Sequence, residues 1–305
     1  MGGGVESGAG AAATRRKENR RRMLAAAAIN AVLVAVGVVG GIITHSLALL
    51  ADAGHVLSDL AAIGLALLAA SLAARSGGAR RTFGYQRSEV IAALVNGVTL
   101  VAIAVVIVVA AVNRLQNPPH VQGGGVIVLG LVALAGNLAA TWVLARGERR
   151  DLNLEAVLRH SAADALGALG VVVSGAVILT TGWRPIDPLS GIAIAGLILA
   201  SSVRLVREPI DVLMEAAPQG VDVEAVARAV CAVPGVREVH ELHVWSVTAG
   251  FEALAAHVVV AQGGDRDRAR REIEFVLRDR FAIDHTTLQM EEEAGDALLQ
   301  VERSD

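Results

Sequence analysis

The chain has 305 residues, of which 54% are hydrophobic and only 3% aromatic, with a mean hydropathy of +0.54 and a net charge of −3. This composition is too apolar for a water-soluble domain of this length and predicts a membrane protein. Cys231 is the only cysteine, which excludes an intrachain disulfide and a cluster of thiolates, so any metal site must use histidine and carboxylate side chains.

The first residues are rich in glycine and alanine and lead into the basic sequence TRRKENRRR at residues 14–22. No apolar stretch precedes a small-residue cleavage site within residues 1–22, which argues against a secretory signal peptide. We therefore predict that residues 1–22 form a disordered N-terminal arm on the cytoplasmic side of a membrane.

Six apolar segments follow, and each is long enough to cross a bilayer, which takes roughly 20 helical residues. They lie at about 24–43, 47–74, 88–112, 124–145, 153–180 and 187–206. The pattern predicts a membrane α-helical bundle of six transmembrane helices over residues 23–207. The second and fifth segments are the least uniformly apolar, and both carry histidine and aspartate, which indicates a function inside the membrane.

Lys and Arg are unevenly distributed among the connections between the apolar segments. The N-terminal arm and the connections after the second and fourth segments hold fourteen Lys and Arg, whereas the alternate connections hold only Arg114 and Arg184. Because Lys and Arg accumulate in cytoplasmic loops, this distribution predicts a multi-pass protein of the cytoplasmic (inner) membrane with both termini in the cytoplasm. The buried core of a soluble protein would not sort its arginines in this way.

Two short motifs repeat the same outline, HVLSD at residues 55–59 and HSAAD at residues 160–164. Residues four apart on an α-helix share a face and lie about 6 Å from each other. Two facing helices would therefore present His55, Asp59, His160 and Asp164 around one point, as a tetrahedral metal site requires. A hydrogen bond within each pair that merely joins helices is the alternative, but its repetition with the same spacing and order favours metal binding.

Two imidazoles and two carboxylates favour Zn²⁺, with Co²⁺ and Cd²⁺ as further candidates. Asp52 lies one turn before His55 and is predicted to hydrogen-bond a ligand imidazole or to relay protons. The alternative for Asp52 is simple solvation at a helix end.

The C-terminal part of the chain has a different composition. Residues 208–305 contain 9 Lys and Arg against 20 Asp and Glu, whereas residues 1–207 contain 18 against 10, so we place a domain boundary near residue 208. Helices are predicted at about 222–233 and 265–281, and strands at about 236–248, 252–261 and 284–292. This α-β-β-α-β order predicts a cytoplasmic two-layer α+β domain over residues 208–295, with residues 296–305 as a tail.

Five motifs follow one another along the chain: SLALLADAGHVLSD, RRTFGYQRSEVIAALVN, HSAADALGALG, DPLSG and HELHVWSVTAG. Together they resemble the cation diffusion facilitator family, in its zinc-transporting branch. The resemblance covers about residues 24–292. It implies a homodimer that exchanges Zn²⁺ for H⁺, a ferredoxin-like C-terminal domain that dimerises, and intramembrane ligands at His55, Asp59, His160 and Asp164.

The connection between the second and third segments departs from some bacterial relatives. Those relatives carry an aspartate and two histidines there that bind an additional zinc, but this chain reads GGARRTFGY, with Arg81 and Tyr85 at the imidazole positions. We predict no metal in this connection. Its arginines are expected to contact lipid phosphates or the acidic C-terminal domain.

Four of the eight histidines fall in the C-terminal domain: His240, His243, His257 and His285. Strand alternation predicts that His240 and His243 lie on opposite faces of the sheet. The resemblance matches His240 and His257 to regulatory zinc ligands, with Glu291 as their acidic neighbour, whereas Gln289 replaces a ligand histidine. A weakened zinc site and histidines that serve only the strands and the dimer interface both remain open.

Two other functions are compatible with parts of the pattern. A membrane-anchored zinc sensor would use the C-terminal domain for signalling and the bundle as an anchor, and a zinc channel would conduct without proton coupling. An enzyme is not predicted, because the chain shows no nucleophile–base set and no phosphate-binding loop.

Overall fold

The computed structural model describes the backbone of residues 5–75, 77–145 and 154–292, and the side chains of residues 24–75, 77–143 and 163–292. Six helices in these ranges are long and apolar enough to cross a membrane. They are α1 (Val5–Thr44), α2 (Leu47–Ala73), α3 (Ser88–Gln116), α4 (Gly123–Ala145), α5 (Leu154–Thr181) and α6 (Ile186–Leu213). The predicted six-helix membrane domain is therefore confirmed.

Two helix ends differ most from the prediction. Helix α1 begins at Val5, so residues 5–22 have helical backbone where we predicted a disordered arm. Alanine and arginine dominate this stretch and have high helix propensity, which explains the continuation. Helix α6 extends to Leu213 and includes Pro209, so it passes the predicted end at residue 206.

Small residues let neighbouring helices of the bundle approach closely. A Cβ atom on Gly123 of α4 would lie 2.8 Å from the carbonyl oxygen of Gly175 on α5, and a Cβ on Gly175 would lie 2.9 Å from the carbonyl oxygen of Gly123. Between α1 and α2, a Cβ on Gly37 would lie 2.8 Å from the Cβ of Ala53. Since lipid removes the hydrophobic drive between spanning helices, such close packing supplies much of their association.

A buried carboxylate joins the start of α6 to the start of α2. The side chain of Asp187 is fully buried and accepts hydrogen bonds from the Ser46 hydroxyl at 2.5 Å and from the Leu47 N–H at 2.7 Å, with a longer one from Ala48 N–H at 3.4 Å. Asp187 thus caps a helix that is distant in sequence, because the first N–H groups of α2 have no partner within their own helix. Arg114, near the end of α3, lies 3.9 Å from the same carboxylate.

The C-terminal domain has the predicted α-β-β-α-β order. Its elements are α7 (Val223–Cys231), β1 (Val236–Thr248), β2 (Phe251–Val260), α8 (Arg266–Phe281) and β3 (His285–Glu292). Strand β2 lies in the middle of the sheet, antiparallel to β1 and parallel to β3. Gly250 has a φ of 75° in the tight turn between β1 and β2, a backbone conformation that glycine adopts without strain.

The core of this domain lies on one face of the sheet. Leu254, Val258 and Val260 of β2 are buried with Ile273 and Leu277 of α8. The alternate residues of β2 point to the other face, which carries the histidines and carboxylates described below. The α+β fold predicted from the sequence is confirmed.

The structure divides into two compact units. One contains the chain up to Leu68 together with Val95–Val206, and the other contains Ala69–Leu94 together with the chain from Arg207 onward. The connection between α2 and α3 therefore belongs to the same unit as the C-terminal domain.

Replacing Asp187 with alanine tests the capping contact. The change leaves the first N–H groups of α2 without acceptors, and loss of a helix cap costs about 1–2 kcal/mol of the free energy of unfolding. We expect a lower midpoint of thermal unfolding in detergent, followed by circular dichroism. Asp211→Ala is the matched control, since Asp211 lies on the same helix with 45% of its side chain exposed and pairs with Arg207 four residues away. Equal midpoints for the two variants would contradict the capping role.

Candidate metal centre

Helices α2 and α5 bring an imidazole and two carboxylates together inside the bundle. His55 and Asp59 lie one turn apart on α2, with the His55 Nε2 atom 3.9 Å from Asp59 Oδ2. The same nitrogen lies 3.4 Å from Asp164 Oδ1 on α5. One ligand atom from each of the three residues falls within 4.8 Å of the others, a separation that one metal ion can bridge.

These three side chains are largely removed from solvent. Their exposed fractions are 14% for His55, 20% for Asp59 and 15% for Asp164. Ionisable groups within spanning helices are costly unless they face a partner or a polar path. The contacts across α2 and α5 supply such partners.

The fourth predicted ligand is placed only by its backbone. His160 lies on α5 one turn before Asp164, so the helix carries it on nearly the same face. Its side chain lies outside the described residues. The structure therefore brings together His55, Asp59 and Asp164 of the four predicted ligands.

Asp52 lies at the contact between the two helices that carry the cluster. Its side chain is buried at 5% exposure. A Cβ atom on Gly167 of α5 would lie 2.9 Å from Asp52 Oδ1. Gly167 follows Asp164 by three residues, so its missing side chain leaves room for the Asp52 carboxylate beside the cluster. Gly167 was not among the residues predicted for the site, although its place in the HSAADALG motif was the available signal.

A second group of metal-ligand residues lies on the exposed face of the C-terminal sheet. The strand register places His240 of β1 directly opposite His257 of β2, and His257 beside Gln289 of β3. Glu291 follows Gln289 by two residues and points to the same face. Ligand atoms of His240, His257 and Glu291 lie within 4.8 Å of one another.

The contacts within this group are short. Glu291 lies 2.8 Å from Nδ1 of His257 and 3.3 Å from Nε2 of His240. The Gln289 amide donates to Glu291 at 2.8 Å. This amide contact, together with the two imidazoles, lowers the pKa of Glu291, although partial burial opposes the shift. The carboxylate is therefore kept in the ionised form that binds metal.

The prediction that His240 and His243 lie on opposite faces is wrong. His243 pairs with Ala255, two residues before His257 on β2, so both histidines lie on the exposed face. The reason is a β-bulge between them, in which Glu241 has a φ of 48° and adds one residue to β1. His243 nevertheless lies outside the three-residue group.

The bulge also brings in a residue that the sequence did not indicate. Glu241 lies 3.5 Å from Nε2 of His257. Strand alternation would have turned Glu241 to the face opposite His240, and only the bulge redirects it. His285 lies elsewhere, at the start of β3, where its ring contacts the rings of Phe83 and Phe251 edge-on.

The chain matches two family descriptions that together cover most of its length. Residues 23–214 match "Cation efflux transmembrane domain", and residues 218–293 match "Cation efflux protein, cytoplasmic domain". The predicted resemblance is therefore confirmed over both domains.

Curated relatives are similar over nearly the whole chain. The zinc transporter ZitB of Escherichia coli is 39% identical, over 86% of this chain and 84% of its own length. The cadmium, cobalt and zinc/H(+)-K(+) antiporter of Bacillus subtilis is 37% identical, over 84% of each chain. The metal cation efflux system protein CzcD of Cupriavidus metallidurans is 34% identical, over 87% of this chain and 84% of its own.

Among solved structures, the metal-bound C-terminal domain of the CzcD transporter is 36% identical, with a TM-score of 0.23. The match covers 23% of this chain and 99% of that one. These relatives are metal transporters and not enzymes, in agreement with the sequence analysis. With both family domains matched and full-length relatives above 30% identity, the chain belongs to the zinc branch of the cation diffusion facilitator family.

Proposed function

We propose that this protein exports Zn²⁺ from the cytoplasm in exchange for protons, with Cd²⁺ and Co²⁺ as further substrates. The observation that carries the proposal is the cluster of His55, Asp59 and Asp164, which joins two membrane-spanning helices. The names of the relatives support the choice of cations, since they include zinc, cadmium and cobalt.

The transport site that we propose is a tetrahedral set of two histidines and two aspartates. His55, Asp59 and Asp164 supply three of its ligand atoms. His160 would supply the fourth, because it lies one turn before Asp164 on α5. Borderline Zn²⁺ accepts this mixture of nitrogen and oxygen ligands in four-coordinate geometry.

Competition between protons and the cation couples the two fluxes. A histidine binds metal only when neutral and an aspartate only when ionised, so protonation of the site releases the ion. In the proposed cycle, Zn²⁺ reaches the site from the cytoplasm and displaces protons. The helices then open to the opposite side, where protons reload the site and Zn²⁺ leaves.

The proposed orientation follows from the arginine distribution. Both termini lie in the cytoplasm, and the protein is a homodimer of the cytoplasmic (inner) membrane. The match of the C-terminal domain to a cytoplasmic domain supports this orientation.

Asp52 is proposed to position the site or to relay protons to it. It is buried against Gly167, one turn before His55 on α2 and next to the segment of α5 that carries Asp164. A carboxylate in this place holds neighbouring ligands in orientation and offers a further proton acceptor.

The group on the C-terminal sheet is proposed to bind regulatory Zn²⁺. His240, His257 and Glu291 fit a metal ion in residue type and spacing, and three protein ligands leave a coordination position open. Such a site is weaker than a four-ligand site, as expected where Gln289 takes the place of a ligand.

Flux measurements in proteoliposomes test the transport proposal. As purified protein moves Zn²⁺ into the lumen, protons are expected to leave it and the lumen pH to rise. The double variant Asp59→Ala/Asp164→Ala is expected to reduce both fluxes to background. Glu252→Gln, on the C-terminal sheet, is the control and should transport normally. Zinc movement without any pH change would reject the exchange mechanism and favour a channel.

The same double variant separates a transporter from a zinc sensor. If cells that express it keep full zinc tolerance, the bundle is only an anchor and the sensor alternative is correct. A further flux measurement uses the variant His55→Asp, which replaces a nitrogen ligand with an oxygen ligand. We expect this variant to lose discrimination against Mn²⁺ or Cd²⁺.

Substitution of Gly167 tests the role of Asp52. In Gly167→Ala the new methyl group would lie 2.9 Å from Asp52 Oδ1, so the carboxylate must shift from its position beside the cluster. We expect roughly 10-fold weaker zinc binding at the transport site, the magnitude typical of disturbed outer-shell partners. Gly170→Ala is the matched control, because a Cβ there meets nothing within 4 Å. If calorimetry gives the two variants equal affinities for zinc, Asp52 has no role at the site.

Calorimetry with the transport site disabled tests the C-terminal site. In the Asp59→Ala/Asp164→Ala background, Glu291→Gln is expected to weaken the remaining Zn²⁺ binding, whereas Glu292→Gln should not. Glu292 instead contacts Gly263 and Arg266.

The pH dependence of this binding has a defined sign. Because metal ligands must be deprotonated, protons compete with Zn²⁺ for this site, and the zinc affinity is expected to fall as the pH falls. The lowered pKa of Glu291 keeps its own carboxylate ionised to a lower pH than that of an ordinary glutamate. Absence of zinc binding in this background would show that the histidines serve only the strands.

A further inference from the structure

A basic cleft separate from both metal sites lies within the unit that contains the C-terminal domain. It has a volume of about 600 Å³ and lies between the α2–α3 connection and strand β1. Its polar lining from the connection includes Arg80, Arg81 and Arg87, and Trp245 lines it from β1. The transport proposal does not use any of these residues.

Part of the positive charge in the cleft has no ion-pair partner among the residues whose side chains the structure describes. Arg87 forms an ion pair with Glu215 at 3.0 Å. Within the part of the chain that the structure describes, neither Arg80 nor Arg81 has an ion-pair partner. The Arg81 guanidinium lies 4.4 Å from the centroid of the Tyr85 ring, and this stacking holds it in a defined position. Two guanidinium groups are therefore available to an anion.

The position of the cleft along the chain places it at the membrane surface. Helix α2 ends at Ala73 and α3 begins at Ser88, so the connection joins the ends of two membrane spans. The Ser88 hydroxyl donates to the carbonyl of Ala69 at 2.9 Å, which ties these two ends together. Ile91, one turn into α3, also lines the cleft. The lining thus passes from guanidinium groups outside the span to an apolar side chain within it.

This gradient fits a phospholipid better than a wholly polar ligand. Guanidinium groups bind phosphate oxygens in bidentate fashion, and basic pockets at the cytoplasmic ends of spanning helices recognise anionic headgroups. Tryptophan and tyrosine prefer the same depth of the membrane, because their rings are apolar and their N–H or O–H groups are polar.

We propose that the cleft binds the phosphate group of an anionic ligand through Arg80 and Arg81. The apolar end of the cleft favours an anionic lipid headgroup at the membrane surface as the ligand. Free inorganic phosphate is the other ligand that carries the same chemical group. The proposal does not depend on the ion-exchange mechanism.

Native mass spectrometry of the full-length protein released from detergent tests the proposal. Phosphatidylglycerol, phosphatidylcholine and inorganic phosphate are titrated separately, and dissociation constants are obtained from the bound fractions. We expect Arg80→Ala/Arg81→Ala to weaken phosphatidylglycerol binding about 30-fold. Each basic residue near an anionic membrane surface usually contributes about 1 kcal/mol, and two such contributions correspond to this factor. Phosphatidylcholine binding should not change.

The control is Arg271→Ala/Arg280→Ala, which removes the same amount of charge from α8. These residues are far in sequence from the α2–α3 connection, so this variant should keep the wild-type affinity for phosphatidylglycerol. If the alanine variant fails to fold, Arg80→Lys/Arg81→Lys keeps the charge but removes the bidentate geometry, and a weakened affinity is still expected.

Competition separates the two sources of phosphate. Phosphatidylglycerol binding that depends on Arg80 and Arg81 and resists millimolar inorganic phosphate supports a lipid site. Displacement by inorganic phosphate, with direct phosphate binding that the arginine variant loses, supports the same phosphate site with a soluble ligand. Equal affinities of the wild type and both arginine variants for phosphatidylglycerol and phosphate would overturn the proposal.

Discussion

The cost of placing ionisable side chains inside a membrane governs the arrangement of this protein. A charged aspartate at the centre of a spanning helix costs about 2.5–3.5 kcal/mol on insertion scales, so it must face a partner. Asp164 of α5 meets His55 of α2 at 3.4 Å, and Asp59 approaches the same nitrogen at 3.9 Å. The contact of Asp164 with His55 across the two helices gives each of them a polar partner, and this contact helps to hold α2 and α5 against each other.

Close contact between these two helices depends on small residues and on a fixed helix end. Gly167 leaves room for the Asp52 carboxylate, which a methyl group would crowd. At the beginning of α2, the buried carboxylate of Asp187 accepts hydrogen bonds from Ser46 and Leu47. Because His55 lies only two turns farther along α2, a shift or rotation of this helix end would carry the imidazole away from α5.

The C-terminal sheet uses a different device to bring its candidate metal ligands together. Its buried face is apolar, and three neighbouring strands place His240, His257 and Gln289 side by side on the exposed face. Glu291 bridges both imidazoles. The register of the sheet thus brings this group together, just as the packing of α2 against α5 brings the intramembrane cluster together.

The sequence by itself determined the number of spans, the two histidine–aspartate pairs and the α-β-β-α-β order, because these depend on hydropathy, on helical spacing and on local alternation. It also determined that His55 and Asp59 share a helix face. Tertiary structure alone decided that His55 lies nearer to Asp164 than to Asp59, and that Asp187 caps a helix distant in sequence. It likewise decided the bulge at Glu241, since an added residue in a strand depends on pairing with its neighbour and leaves no periodic signal.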